Sequence, residues 1–172
     1  MTDKILPDSG QLGGRNPYVE LARLGLSLPA PRPPVANFQP AVVDGQLVYL
    51  SGQGPVGPEG VVFKGKLGAD VSIEDGYAAA RLTTLNLLAA LEGAAGSLSR
   101  VRKIIKVLGM VNATPDFMAH PLVLNGCSDL LVEVFGPEVG THARSAVGMG
   151  SLPGQIAVEI EMIVGLHADG GC

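Results

Sequence analysis

The stretch that decides how this chain is read runs from Ala143 to Leu166, ARSAVGMGSLPGQIAVEIEMIVGL. Two apolar, alternating segments flank Gly150-Ser151-Leu152-Pro153-Gly154, a turn by composition. The spacing predicts strands over Ala143–Met149 and Gln155–Leu166, joined as a terminal ribbon. Ile156, Val158, Ile160, Met162 and Val164 share one face and read as core, whereas Ala157, Glu159, Glu161 and Ile163 share the other. On the earlier strand Arg144, Ala146 and Gly148 share a face. A turn centred near Leu152 sets position 144 opposite 159, so Arg144 and Glu159 are expected as cross-strand neighbours. A cation, a carboxylate and small residues would outline a pocket, although the same pattern fits a plain ion pair worth ~0–1 kcal/mol when exposed. Nothing large and apolar fills that face, and a neighbouring subunit is the expected cover.

Upstream, the pattern changes element by element. AVVDGQLVYLSGQGPV (41–56) reads as two strands turning at Asp44-Gly45, and the second ends in Ser51-Gly52-Gln53-Gly54, where glycine allows close backbone approach. Ser72 and Asp75 form a capping-box variant. It opens a helix whose Leu82, Leu85, Leu88, Ala89 and Leu91 share a face and which Gly93 and Gly96 end. Val101–Val111 reads as a strand. Pro115-Asp116 is expected to open a second helix, interrupted near Pro121 and stopped by Gly136-Pro137. The order β-β-α-β-α-β-β defines an α+β fold, one sheet with two helices on a single face. Residues 35–167 form the one expected domain. Residues 1–34 form a tail, with a polar start, a short helix over 17–26 and an extended run at Pro29, Pro31, Pro33 and Pro34. Residues 168–172 form a second tail.

Composition narrows the function classes. Among 172 residues 47% are apolar and 16% charged, with a net charge of −4, which favours an oligomer that hides apolar surface. No basic run exists to neutralise phosphates, so nucleic acid is not an expected partner. Thr83, Thr84 and Asn86 interrupt the most apolar helix, so no membrane span is expected. The N-terminus shows no apolar signal-peptide core, and a cytoplasmic location is the expectation. Cys127 and Cys172 suit neither a disulfide framework nor zinc, and Cys127 reads as a small buried residue. His120, His142 and His167 lack metal-ligand spacing, so no metal is expected. Asn125 suits a ligand contact or a helix break equally. Ser51-Gly52-Gln53-Gly54 has no following helix or lysine and is not a phosphate loop.

Leu47-Val48-Tyr49-Leu50-Ser51-Gly52-Gln53 with Pro55-Val56 resembles the first-strand signature of the reactive intermediate deaminase (RidA, YjgF-like, "endoribonuclease L-PSP") family. Ala143-Arg144-Ser145-Ala146-Val147, then Leu152-Pro153 and Val158-Glu159-Ile160-Glu161, resembles its C-terminal signature. The likeness spans about residues 35–167; the Pro-rich lead-in and LNGCSDLLVEVFG resemble a less-characterised branch. It implies a chorismate-mutase-like fold and a homotrimer with sites between subunits. It also implies hydrolysis of enamines and imines of 2-amino acids to 2-keto acids and ammonia, without cofactor or metal. Carried over by residue, Arg144 clamps the substrate carboxylate, Glu159 handles the hydrolytic water and Gly52 brings backbone to the ligand. Ala146 stands where many relatives carry Cys, Phe38 where they carry a pocket Tyr, and Asn125 aligns with a pocket asparagine. Two rival readings are a carboxylate-binding module without chemistry and, third, a ribonuclease or translation inhibitor.

Overall fold

The hairpin expected at Asp44-Gly45 forms one residue later, with Gly45-Gln46 as its two linking residues. Gly45 takes a positive φ of 59°, and β1 (Ala41–Asp44) and β2 (Leu47–Gln53) pair antiparallel from Asp44↔Leu47 to Ala41↔Leu50. The computed structural model describes residues 15–30 and 37–168. The expectations for residues 1–14, for most of the proline run and for residues 169–172 lie outside the described residues, as does Cys172.

A small ribbon, β3 (Val56–Gly57) and β4 (Gly60–Val61), follows β2 and forms a separate two-stranded sheet that the sequence pattern did not signal. Helix α2 (Ile73–Ala95) is capped as expected: the Ser72 hydroxyl accepts from the Asp75 amide at 3.0 Å, a cap worth about 1 kcal/mol. Its end falls at Gly96, left-handed at φ 79°. Strand β5 (Val101–Asn112) then leads to helix α3 (His120–Gly140). That helix starts at His120 rather than at Pro115, because Pro121 belongs to its first turn and residues 115–119 form the approach. Gly136 leaves helical geometry at φ 78°, and the chain resumes as one more turn to Gly140. Strands β6 (Ala143–Met149) and β7 (Val158–Leu166) close the chain.

The five main strands lie in the order β1-β2-β7-β5-β6, and here the terminal ribbon must be corrected. β6 and β7 do not pair. β5 lies between them, parallel to β6 and antiparallel to β7. The reason is the β5–α3–β6 unit: a helical crossover returns the chain parallel to the strand it left. β7 then enters the slot between β2 and β5, antiparallel to both. The sheet is therefore mixed.

α2 and α3 pack on one face. Leu87, Leu88, Leu91, Leu124, Leu130 and Leu131 of the helices are fully buried with Val107, Ile160 and Val164 of the sheet, each large side chain contributing about 1.5–3 kcal/mol. Gly126 permits the helices to meet, since a Cβ there would collide with the backbone of Tyr77. The short helix expected over 17–26 forms as α1 (Pro17–Arg23). The Tyr18 hydroxyl donates to Glu92 at 2.7 Å and accepts from the Leu98 amide at 2.9 Å, pinning α1 to the end of α2. The opposite face of the sheet carries Val42, Tyr49, Leu108, Met110, Val147 and Met149, none of them fully buried, and no element of the described chain crosses it.

Candidate functional site

Register decides which functional side chains meet. Paired residues in a sheet point the same way. Arg144 pairs with Val107, and Ala146 with Gly109, placing both on the helix-covered face. Glu159 pairs with Met110, and Glu161 with Leu108, placing both carboxylates on the open face. The expected Arg144–Glu159 neighbours are thus on opposite faces of one sheet, separated by β5. A single chain does not assemble the pair.

On the covered face a set of polar groups gathers round Arg144. Its Nη1 donates to Asn125 Oδ1 and to Ser128 Oγ, both at 3.0 Å, and its Nη2 reaches the Pro121 carbonyl at 3.4 Å. Asn125 therefore holds the arginine rather than capping a helix break. Ala146 is half-buried above Gly109, whose missing side chain leaves room for Leu124. His120 lies over Gly148, where a Cβ would meet its ring. Among the described residues no carboxylate lies within ion-pair distance of Arg144, and Nε has no hydrogen-bond partner. A guanidinium held at Nη1, more loosely at Nη2, and unpaired at Nε keeps donors for a planar anion.

On the open face the second set forms. β2 carries a bulge between Leu50 and Gln53, so that Ser51 and Gly52 together face Glu161. The Glu159 carboxyl lies against Gly52 so closely that any Cβ there would overlap it. Burial raises the Glu159 pKa, and the neighbouring Glu161 raises it further. A carboxyl poised toward neutral pH is suited to exchanging a proton with water. Phe38 is exposed, one residue before Gln39, whose carbonyl accepts from the Ser51 hydroxyl at 2.7 Å.

The sequence reading missed Ser128 and His142. Ser128 lies one helical turn beyond Asn125 and so shares its face, a spacing that was available to find it. Cys127 is fully buried and its thiol is pushed up to about 11, chiefly by burial, as befits a packing residue. No helix among the described residues is long and apolar enough to cross a membrane.

A mixed five-stranded sheet with helices on one face and a hydrogen-bonded arginine on its β6 edge strand defines a small α+β domain. The family described as "YjgF/chorismate mutase-like, putative endoribonuclease" matches residues 19–160, and the chain belongs to it. It is 42% identical to protein TCP17 of Trypanosoma cruzi over 86% of this chain and 92% of that protein. It is similar to the crystal structure of Atu1372, a protein of unknown function from Agrobacterium tumefaciens, with 39% identity, a TM-score of 0.81, and coverage of 88% of this chain and 94% of that one. TdcF of E. coli, solved with bound serine, is more distant at 26% identity and a TM-score of 0.56, covering 80% of this chain and 94% of that chain.

Proposed function

We propose that this protein hydrolyses small enamine or imine intermediates of 2-amino acids to 2-keto acids and ammonia, at sites completed between copies of the chain in a homotrimer. The observation that carries the reading is Arg144, anchored through Nη1 and without an acidic partner among the described residues. A cation held ready in this way calls for an external carboxylate. The serine bound by TdcF, a relative, carries one. In this mechanism Arg144 fixes the substrate carboxylate, and the backbone beside Ala146 lines the imine. An enamine first tautomerises to the imine. The Glu159 carboxylate of an adjacent copy takes a proton from water as the water oxygen bonds to the imine carbon, and returns it to the nitrogen to give a carbinolamine. Transfer of the hydroxyl proton to that nitrogen breaks the C–N bond, releasing ammonia and leaving the keto acid.

Two halves on opposite faces of one sheet support the shared site, because no rearrangement short of dismantling β5 joins them within one chain. The uncovered apolar face supports association. Oligomer mass at micromolar concentration tests the trimer. Activity is tested by following pyruvate release in a coupled assay that generates 2-aminoacrylate. Wild type should accelerate it, and Arg144→Ala should lower the rate at least about a hundredfold. Equal rates for the two would remove Arg144 from the mechanism.

A second reading, a carboxylate-binding module without chemistry, is favoured by Ala146 and Phe38, which offer no thiol or phenol to a ligand. Thermal stabilisation by pyruvate without turnover would select it. A ribonuclease reading draws no support from a net charge of −4.

A further inference from the structure

Arg144 does not stand on Asn125 alone. The hydroxyl of Ser128, its second partner, lies 3.0 Å from His142 Nε2, and His142 Nδ1 lies 2.7 Å from the Gly140 carbonyl. A carbonyl only accepts, so Nδ1 carries the ring proton and Nε2 is left as an acceptor. The Ser128 hydroxyl must then donate to Nε2, which turns its oxygen lone pairs toward the Arg144 guanidinium. The chain of donors has one direction: Arg144 to Ser128 to His142 to Gly140.

We propose that Ser128 and His142 are positioning residues that set the angle at which Arg144 presents its remaining donors to a ligand carboxylate. The inference rests on the reading of Arg144 as the carboxylate clamp and adds the part that aims it. Without Ser128, Nη1 keeps only its bond to Asn125, and the long 3.4 Å contact of Nη2 with the Pro121 carbonyl is left to hold the angle of the guanidinium. Without the acceptor on His142, the Ser128 hydroxyl is free to rotate and its proton can face Arg144. The ring also has to be neutral for this arrangement. Burial is the main cause lowering the His142 pKa; the Gly140 carbonyl opposes it, and the fields of Arg144 on β6 and Lys103 on β5 reinforce it. A protonated ring would aim a second cation at the oxygen that Arg144 already uses.

The test titrates pyruvate into the intact protein at pH 7.5, with wild type, Arg144→Ala, Ser128→Ala, His142→Phe and His142→Gln. Gln can present its amide oxygen where Nε2 stands, so it restores the acceptor without a titrating ring. Ser128→Ala and His142→Phe are expected to weaken binding about tenfold, and His142→Gln to stay within about twofold of wild type. Nitrogen-15 NMR of the imidazole should show a neutral ring with its proton on Nδ1 at pH 7.5, and the ring should protonate at lower pH than a free imidazole. Wild-type affinity in Ser128→Ala and His142→Phe, or a ring protonated on Nε2 at pH 7.5, would overturn the inference. Should His142→Phe fail to fold, Ser128→Ala, which removes a single oxygen, decides. If Arg144→Ala binds pyruvate as wild type does, or wild type does not bind it, the clamp reading itself has failed. Loss of binding in Arg144→Ala alone defeats only the positioning role.

Discussion

The two faces of the sheet differ in what covers them. The face under α2 and α3 holds Arg144 in a set of side chains that this chain supplies entirely: Asn125, Ser128, His142 and the Pro121 carbonyl. The other face holds Glu159 against the Gly52 bulge, paired with Met110 on β5, and nothing of the described chain lies above it. On the proposed reading, one half of the site is finished by the fold and the other is completed by a second copy. A fold this small would then build a pocket without a second domain by using its sheet on both sides.

That contrast can be broken at several strengths. On the covered face, Leu131→Ala should cost about 2–5 kcal/mol at any protein concentration, because it opens a cavity between buried helices. Denaturant unfolding measures it, and a loss below 1 kcal/mol would mean the helix layer is looser than described. On the open face, Met110→Lys should leave unfolding of the isolated chain nearly unchanged and shift sedimentation toward smaller species, since the cost falls on association. An unaltered sedimentation profile would remove this face from the interface. Gly52→Ala should reduce turnover about tenfold or more with the fold intact, since the added methyl displaces the Glu159 carboxyl.

The smallest effect concerns protons. The folded chain holds the Glu159 proton more tightly than the unfolded chain does, chiefly through burial. That contribution favours the fold below the ordinary glutamate pKa and is lost as pH rises through the raised folded value. Glu159→Gln should therefore melt about 1–3 °C above wild type at pH 8 and match it near pH 4. A difference of the opposite sign would show that Glu159 is stabilised as the anion.

Two turns in this chain show what was legible in the sequence. Gly45-Gln46, right after Asp44, joins the strands through two residues, and so short a link leaves no alternative to pairing. The link from Met149 to Val158 is long enough to carry β7 past β5, so its Gly-Pro composition signalled a turn but not a partner. The deciding fact was elsewhere in the pattern, in the strand–helix–strand run from Val101 to Met149, which demands a parallel neighbour. Face assignments within each strand were readable from alternation: Val158, Ile160, Met162 and Val164 are buried, and Glu159 and Glu161 share the other side. The relation between faces of different strands was not, because it depends on strand order. Ser128 could have been found from its helical spacing to Asn125, whereas His142, just before β6, acquires meaning only once that strand's start is set beside α3.

The most direct measurement of the central claim mixes two inactive variants, Arg144→Ala and Glu159→Gln, by joint unfolding and reassembly. A site built from Arg144 of one copy and Glu159 of another regains an intact pair in about one quarter of the sites of a randomly mixed trimer. The account predicts recovery of imine hydrolysis to about that fraction of wild type. Reassembled mixtures as inactive as either variant alone, although shown to contain both chains, would contradict it.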